Sequence, residues 1–227
     1  MFKNPSLPPA APERALILTY APPGVRGGLA AMLALDDAVA NILRSTREPM
    51  LVQMRLTWWH DALTKLDAAP PPAEPVLQAL ASDVLPFGIE GAQLARLVEG
   101  WEALSEGDPC EAGVRVGYAV GRGGALFALA ARLLGDARFD TAGAGQGWAL
   151  ADLARNLADP AAAAAARAEA ETALVPALAR RWPGSLRSLG ALAHLAAMDL
   201  RTPAAQPLPA ATPGRVARLA WHRLTGR

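Results

Sequence analysis

The chain has a single cysteine, Cys110, among its 227 residues. That excludes a disulfide framework and a thiolate-rich zinc site, suits a reducing cytosol, and leaves Cys110 expected as a small buried hydrophobe. Aromatic residues make up only 5%, and β-branched residues are scarce, while Ala and Leu dominate. Neither Ala nor Leu loses much on entering a helix, so the balance points to an all-α fold. No charge of one sign prevails: 22 basic side chains face 21 acidic ones, for a net charge of +1. Such a chain as a whole has no field that gathers DNA or RNA, and no nucleic-acid partner is expected. A long uncharged run is also missing. The most apolar stretch, Val114 to Leu134, is interrupted by Arg115 and Arg122, whereas a membrane span takes about 20 largely uncharged residues. The start, MFKNPSLPPAAPER, lacks the apolar run of a signal peptide, so a cytoplasmic location is expected. GxSxG, HExxH and Walker motifs are absent.

What is present is ample core material, with 52% apolar and 19% charged residues. One domain over residues 1–227 is expected, irregular at 1–13 and about 202–213. Pro and Gly clusters punctuate the chain at Pro22–Gly24, Asp67–Pro75, Gly107–Pro109, Gly143–Gly147 and Pro183–Gly184. Between them the apolar spacing is helical. Met32, Leu35, Val39 and Ile42 form one stripe, and Leu51, Met54, Trp58, Ala62 and Leu66 form another. Further helices are predicted over 91–104, 109–134, 137–158, 161–181, 185–200 and 214–225.

Four segments carry a resemblance. REPMLVQMRLTWWHDAL (Arg47 to Leu63) follows ALDDAVANILR (Ala34 to Arg44), and together they resemble the second and third helices of the squalene/phytoene synthases. GYAVGRGGALFALAARLLG (Gly117 to Gly135) is similar to that family's tyrosine- and glycine-containing helix, and GWALADLARNLADP (Gly147 to Pro160) stands where it has its second aspartate-rich helix. The REP…RL.WW..AL pattern and the closing PGRVARLAWHRLTGR are most similar to a branch that includes the mitochondrial assembly factor for respiratory complex I. The resemblance implies an isoprenoid synthase-type helical bundle around an apolar cavity. It also implies a role at or near the inner membrane for that branch, with a respiratory-complex protein as partner. Active members join two prenyl diphosphates head to head. Two DxxxD-type motifs face each other there, because carboxylates four residues apart share a helix face and hold the Mg²⁺ ions that bridge to diphosphate.

Here those motifs are depleted. Anchored on RL.WW, the first falls on Ala40-Asn41-Ile42-Leu43-Arg44; a slide of one turn offers Asp36 and Asp37 but leaves Ala40 where a third acid should stand. Asp36 and Asp37 are therefore either half a metal site or an ion-paired, solvated pair. At the second motif, Ala158 and Ala162 replace the acids and Asp159 stands alone before Pro160. Asp152 and Asp159 share a face with Arg155 between them, as in a salt-bridge ladder. Candidate catalytic residues are thus Asp36, Asp37 and Asp159. Cavity-lining candidates from the resemblance are Arg55, Trp58, Trp59, His60, Tyr118, Gly121, Trp148, Asp152 and Asn156. Against this, tryptophans at helical spacing are usually core, Gly121 with Gly123 and Gly124 suits a close helix contact, and lone histidines such as His60, His194 and His222 are usually structural. The missing acids imply loss of condensation, no cofactor, and binding of an isoprenoid or a protein. The alternatives are a Mg²⁺-dependent prenyltransferase acting on farnesyl- or geranylgeranyl-type diphosphates, or a lipid-binding helical protein. The last helix, with Arg215, Arg218, Arg223 and Arg227 among apolar residues, either closes the bundle or rests on an anionic membrane.

Overall fold

Proline starts many of the helices. It has no N–H to leave unsatisfied in a first turn, and its fixed φ is already helical. A computed structural model describes residues 12–46, 48–204 and 206–227, and among them the chain is built of helices with no β-strand. These are α1 (Pro12–Leu18), α2 (Arg26–Ser45), α3 (Pro49–Thr64), α4 (Pro75–Asp83), α5 (Gly91–Glu106), α6 (Ala112–Tyr118), α7 (Ala125–Leu133), α8 (Ala142–Asn156), α9 (Pro160–Ala179), α10 (Arg187–Leu200) and α11 (Pro213–Thr225). Acidic side chains cap several starts. Glu74 accepts from Leu77 N at 2.9 Å, Asp159 from Ala162 N at 2.7 Å, and Asp67 from Gly91 N at 2.7 Å.

The sequence reading misses two helices, α1 and α4. Each is too short for apolar spacing to show, and α4 buries only Leu77 and Leu80. Residues 12 and 13 are helical rather than irregular, and residues 1–11 lie outside the described part. The segment from 202 to 212 holds no helix among its described residues, and Pro213 already begins α11. The helix predicted over 137–158 starts only at Ala142, because Gly135, at φ +84°, ends the preceding helix and residues 136–141 turn the chain.

The α2 stripe of Met32, Leu35, Val39 and Ile42 is buried. On and just after α3 the expected stripe is buried only at its later positions, Ala62 and Leu66. Val52, Leu56, Trp59 and Leu63 enter the core, whereas Leu51, Met54 and Trp58 stay exposed together with Met50. Both rows have helical spacing, and the packing of α3 on α2 and α5 decides between them. Cys110 is likewise exposed, in the turn before α6, rather than buried.

The chain from α6 to α7 is one rod with a π-helical turn, Ala119–Gly124, in its middle. Its glycines bring neighbouring backbones into contact. A Cβ on Gly121 would sit 2.7 Å from Gly100 Cα of α5, and one on Gly123 would run into Gly145 O of α8. Any side chain there would wedge the helices apart. The π turn therefore lies against α5 on one side and α8 on the other, and Arg122, at its centre, is delivered into the middle of the bundle.

The two ends of the fold are tied together. Glu13 of α1 is buried and accepts from Arg215 Nε of α11 and from Ala211 N, both at 2.8 Å. Arg215 also reaches Asp199 of α10 at 2.7 Å. With Leu219 and His222 buried beside Arg215, α11 closes the bundle. Among the described residues, no helix is long and apolar enough to cross a membrane.

Candidate functional site

An arginine buried among apolar helices must find carboxylates or lose several kcal/mol to desolvation. Arg122 finds two. Its Nε donates to Asp36 Oδ1 and its Nη2 to Asp36 Oδ2, each at 2.7 Å, a bidentate pair between the π turn and α2. Its Nη1 donates to Asp152 Oδ2 of α8 at 2.6 Å and to the Tyr118 hydroxyl. Arg44, near the C-terminal end of α2, donates to the same Asp152 oxygen at 2.6 Å, and Asn156 Nδ2 donates to Asp152 Oδ1 at 2.9 Å. Every oxygen of the two carboxylates is thus engaged by an N–H.

The guanidinium is also enclosed by aromatic rings. Its central carbon lies 4.3 Å from the Trp101 ring and 4.6 Å from the Trp148 ring, within cation–π range. Trp101 packs edge-on against Tyr118 at 5.2 Å. Burial alone would lower the Arg122 pKa, but Asp36, Tyr118 and Asp152 raise it well above the ordinary value. Burial pushes the Asp152 carboxyl up, yet Arg44 and Arg122 outweigh it and hold the pKa below the usual carboxylate range. Burial raises the Tyr118 pKa, so its hydroxyl stays neutral. The centre is a balanced set of two cations and two anions.

The candidates named from sequence divide as follows. Asp36, Asp152, Asn156, Tyr118 and Trp148 come together around Arg122. Asp37 points the other way from α2 and pairs with Arg14 of α1. Asp159 caps α9 and sits 3.8 Å from Cys110 Sγ. Asp36, Asp37 and Asp159 therefore serve three separate partners and form no common acid cluster. Among the described residues no three His, Cys, Asp or Glu side chains are grouped to hold a metal ion.

The expected ladder through Arg155 is not formed either. Arg155 donates instead to the Thr202 and Gln206 carbonyls at 3.2 and 2.7 Å, because α8 ends at Asn156 and Asp159 belongs to the next helix. Trp59 is core, Trp58 is exposed, and Arg55 donates to Thr46 Oγ1 at 3.1 Å on the surface. His60 is partly exposed, 3.7 Å from Glu99. Gly121 is used for the contact with Gly100 rather than for lining a cavity. Arg47, the first residue of the REP pattern, lies outside the described residues.

Sequence reasoning misses Arg122, Arg44 and Trp101. A signal for the first is visible: Arg115 and Arg122 break an otherwise apolar stretch, and both turn out buried and paired, Arg115 with Glu169 at 2.7 Å. In the sequence Arg44 is only a replacement for a missing acid. In the fold it reaches across to the opposite helix, so a cation stands where the resemblance calls for a metal ligand.

A separate cavity of about 600 Å³ opens between the C-terminal end of α2, the start of α3 and the end of α5. Leu43, Val52, Leu104 and Leu157 give it an apolar side, Gln53 and Glu106 a polar one, and among the described residues no basic side chain lines it.

No curated protein and no solved structure matches the chain at a significant level. A family model described as squalene/phytoene synthase matches residues 7–167, a span that takes in α1 through α8 and every residue of the Arg122 cluster. With well over half its length so matched, and a bundle made only of helices to go with it, the chain belongs to the squalene/phytoene synthase family.

Proposed function

We propose that this chain has kept the family's helical bundle, has given up metal-dependent prenyl diphosphate condensation, and acts by binding. One observation carries the reading: the Arg122 guanidinium lies between Asp36 and Asp152, the acids that face each other from α2 and α8. Condensation needs hard carboxylate oxygens free to hold Mg²⁺ against a leaving diphosphate. Here those oxygens already accept from Arg122, Arg44 and Asn156, and a divalent cation brought to them would meet two guanidinium charges. The residues present do not fit the metal.

The partner class follows from the surface. Met50, Leu51, Met54 and Trp58 form an exposed apolar row on α3, with Met50 77% exposed, inside the segment that carries the strongest resemblance. Exposed apolar patches of this kind mark protein interfaces. The branch that the segment resembles names respiratory-complex assembly as the process in which such a partner would be met.

Incubation of the full chain with farnesyl diphosphate and Mg²⁺ is expected to release no pyrophosphate above the protein-free control. Turnover that disappears when Asp36→Asn and Asp37→Asn are combined would overturn the reading.

The 600 Å³ cavity favours one further reading, the binding of an uncharged isoprenoid chain, since Leu43, Val52, Leu104 and Leu157 give it an apolar side and Glu106, the charged side chain in its described lining, would repel a diphosphate. Organic extraction of purified protein, followed by mass spectrometry, is expected to recover a neutral prenyl lipid in stoichiometric amount. Undiminished recovery from a Val52→Trp variant, whose larger side chain fills the cavity, would count against that site.

A further inference from the structure

A helix that only closes a bundle needs one apolar stripe and a polar outer face. In α11 the outer face is apolar as well. Arg215, Leu219 and His222 turn inward. On the opposite side Val216, Ala220 and Leu224 recur every fourth residue, with Ala217 and Trp221 beside them, and all are exposed. Trp221 is 57% exposed and Leu224 is 78% exposed. Leaving a tryptophan and a leucine side by side in water forgoes burial that a small domain ordinarily uses.

The charge around this face is one-sided although the whole chain is nearly neutral. After Glu171 the sequence contains eight arginines and one acid, Asp199. The preceding residues carry fourteen basic and twenty acidic side chains. Asp199 is already taken by Arg215. Arg181 donates to Thr225 O at 3.1 Å, Arg187 to His222 O at 2.7 Å, and Arg218 to Arg227 O at 2.9 Å, which gathers these cations at the end of α11. None of Arg181, Arg187, Arg201, Arg218, Arg223 and Arg227 has an Asp or Glu side chain within ion-pair reach among the described residues. Crowding is evident: Arg187 is lowered by burial and then by Arg181 and Arg223, and Arg218 by burial and then by Arg201. Beside the helix, a cavity of about 560 Å³ is lined by Arg201 and Arg218 together with Met198, Ala197 and Leu178. It has room for a phosphate against the two arginines.

The geometry points to the outer face of α11 as a seat for an anionic phospholipid surface. Val216, Ala220, Trp221 and Leu224 enter the boundary between headgroups and acyl chains, while Arg218, Arg223 and Arg227 at its margins meet lipid phosphates. Tryptophan suits that boundary because its ring is apolar and its N–H can stay wet. The basic margin selects negative lipid, and each arginine near such a surface strengthens binding about fivefold. The apolar row of α3 has no such setting: Asp61 and Glu99 lie close to it through His60.

The test is flotation of the full chain with phosphatidylcholine vesicles, with and without one part in three of phosphatidylglycerol. Binding is expected only to the anionic vesicles, with release as ionic strength approaches roughly 1 M, where screening is nearly complete. The double variant Trp221→Ser, Leu224→Ser is expected to bind about 30-fold more weakly, and Arg223→Gln about fivefold more weakly. Met54→Ser with Trp58→Ser, on α3, is expected to bind like the parent. These side chains are exposed, so unchanged thermal unfolding shows that the variants fold. Equal binding to both vesicle types, no binding to either, or full binding by the Trp221 and Leu224 variant would overturn the inference. So would a dimer in free solution that this variant dissolves, since the face would then belong to a second copy.

Discussion

Replacing Arg122 with leucine is expected to destabilise the fold by about 3–5 kcal/mol, the cost of leaving a buried carboxylate without its cation. Asp36 bears most of it. That side chain is buried and has both oxygens on Arg122, whereas Asp152 keeps Arg44 and Asn156. The loss should therefore be largely repaired by adding Asp36→Leu, because a buried ion pair exchanged for apolar groups of similar volume is often neutral. Arg122→Lys should not repair it. Lysine has no planar fork for Asp36 and cannot lie flat between the Trp101 and Trp148 rings. Urea unfolding of the four proteins checks the set, and an Arg122→Leu single variant as stable as the parent would show that the central ion pair contributes nothing.

The second large effect is expected from pH. His194 and His222 pack ring to ring with centroids 4.7 Å apart, both buried. Burial, then the charge of Arg218 and the neighbouring ring, lowers the His194 pKa from 6.5 to about 3. Burial, with added repulsion from Arg187 and Arg218, lowers His222 to about 4 against the pull of the Arg187 carbonyl. Both folded values lie below the unfolded one, so the unfolded chain takes up protons first as pH falls. Stability is whole above the unfolded value of 6.5 and declines below it. By pH 5 the loss is about 2 kcal/mol for each histidine. Asp152, lowered in the fold, adds its own loss only at more acidic pH, near and below the usual carboxylate range. Unfolding free energies that stay level between pH 7 and pH 5 would refute the histidine assignment, and a His222→Gln variant should show about half the slope.

The sequence is most informative where local rules suffice. Ala and Leu content, proline at first turns and acidic caps give the helices and most of their ends. The α3 face is not legible, because Leu51–Met54–Trp58 and Val52–Leu56–Trp59 are both apolar rows of helical spacing. Only the neighbours of α3 choose between them. The central cluster is half legible. Asp36, Asp152 and Asn156 stand out by their place in the family-like helices, but the residue that joins them, Arg122, is 86 positions from Asp36 and 30 from Asp152. No local spacing links residues so far apart. The rule that could link them is general: a cation inside a glycine-rich apolar helix must have acids waiting on the helices it packs against. Asp159 misleads because a lone acid before proline looks the same whether it is a relic of a metal motif or the cap of a new helix.

The bond from Glu13 to Arg215 spans 202 positions. On a ribosome the first helix is made long before its cation exists. At about 5–20 residues per second the wait is roughly 10–40 seconds. Until then a carboxylate destined for the interior must remain wet, and α1 cannot dock in its final place. Helix α11 thus acts as the latch for α1, and the bundle cannot seal until Arg215 has been made.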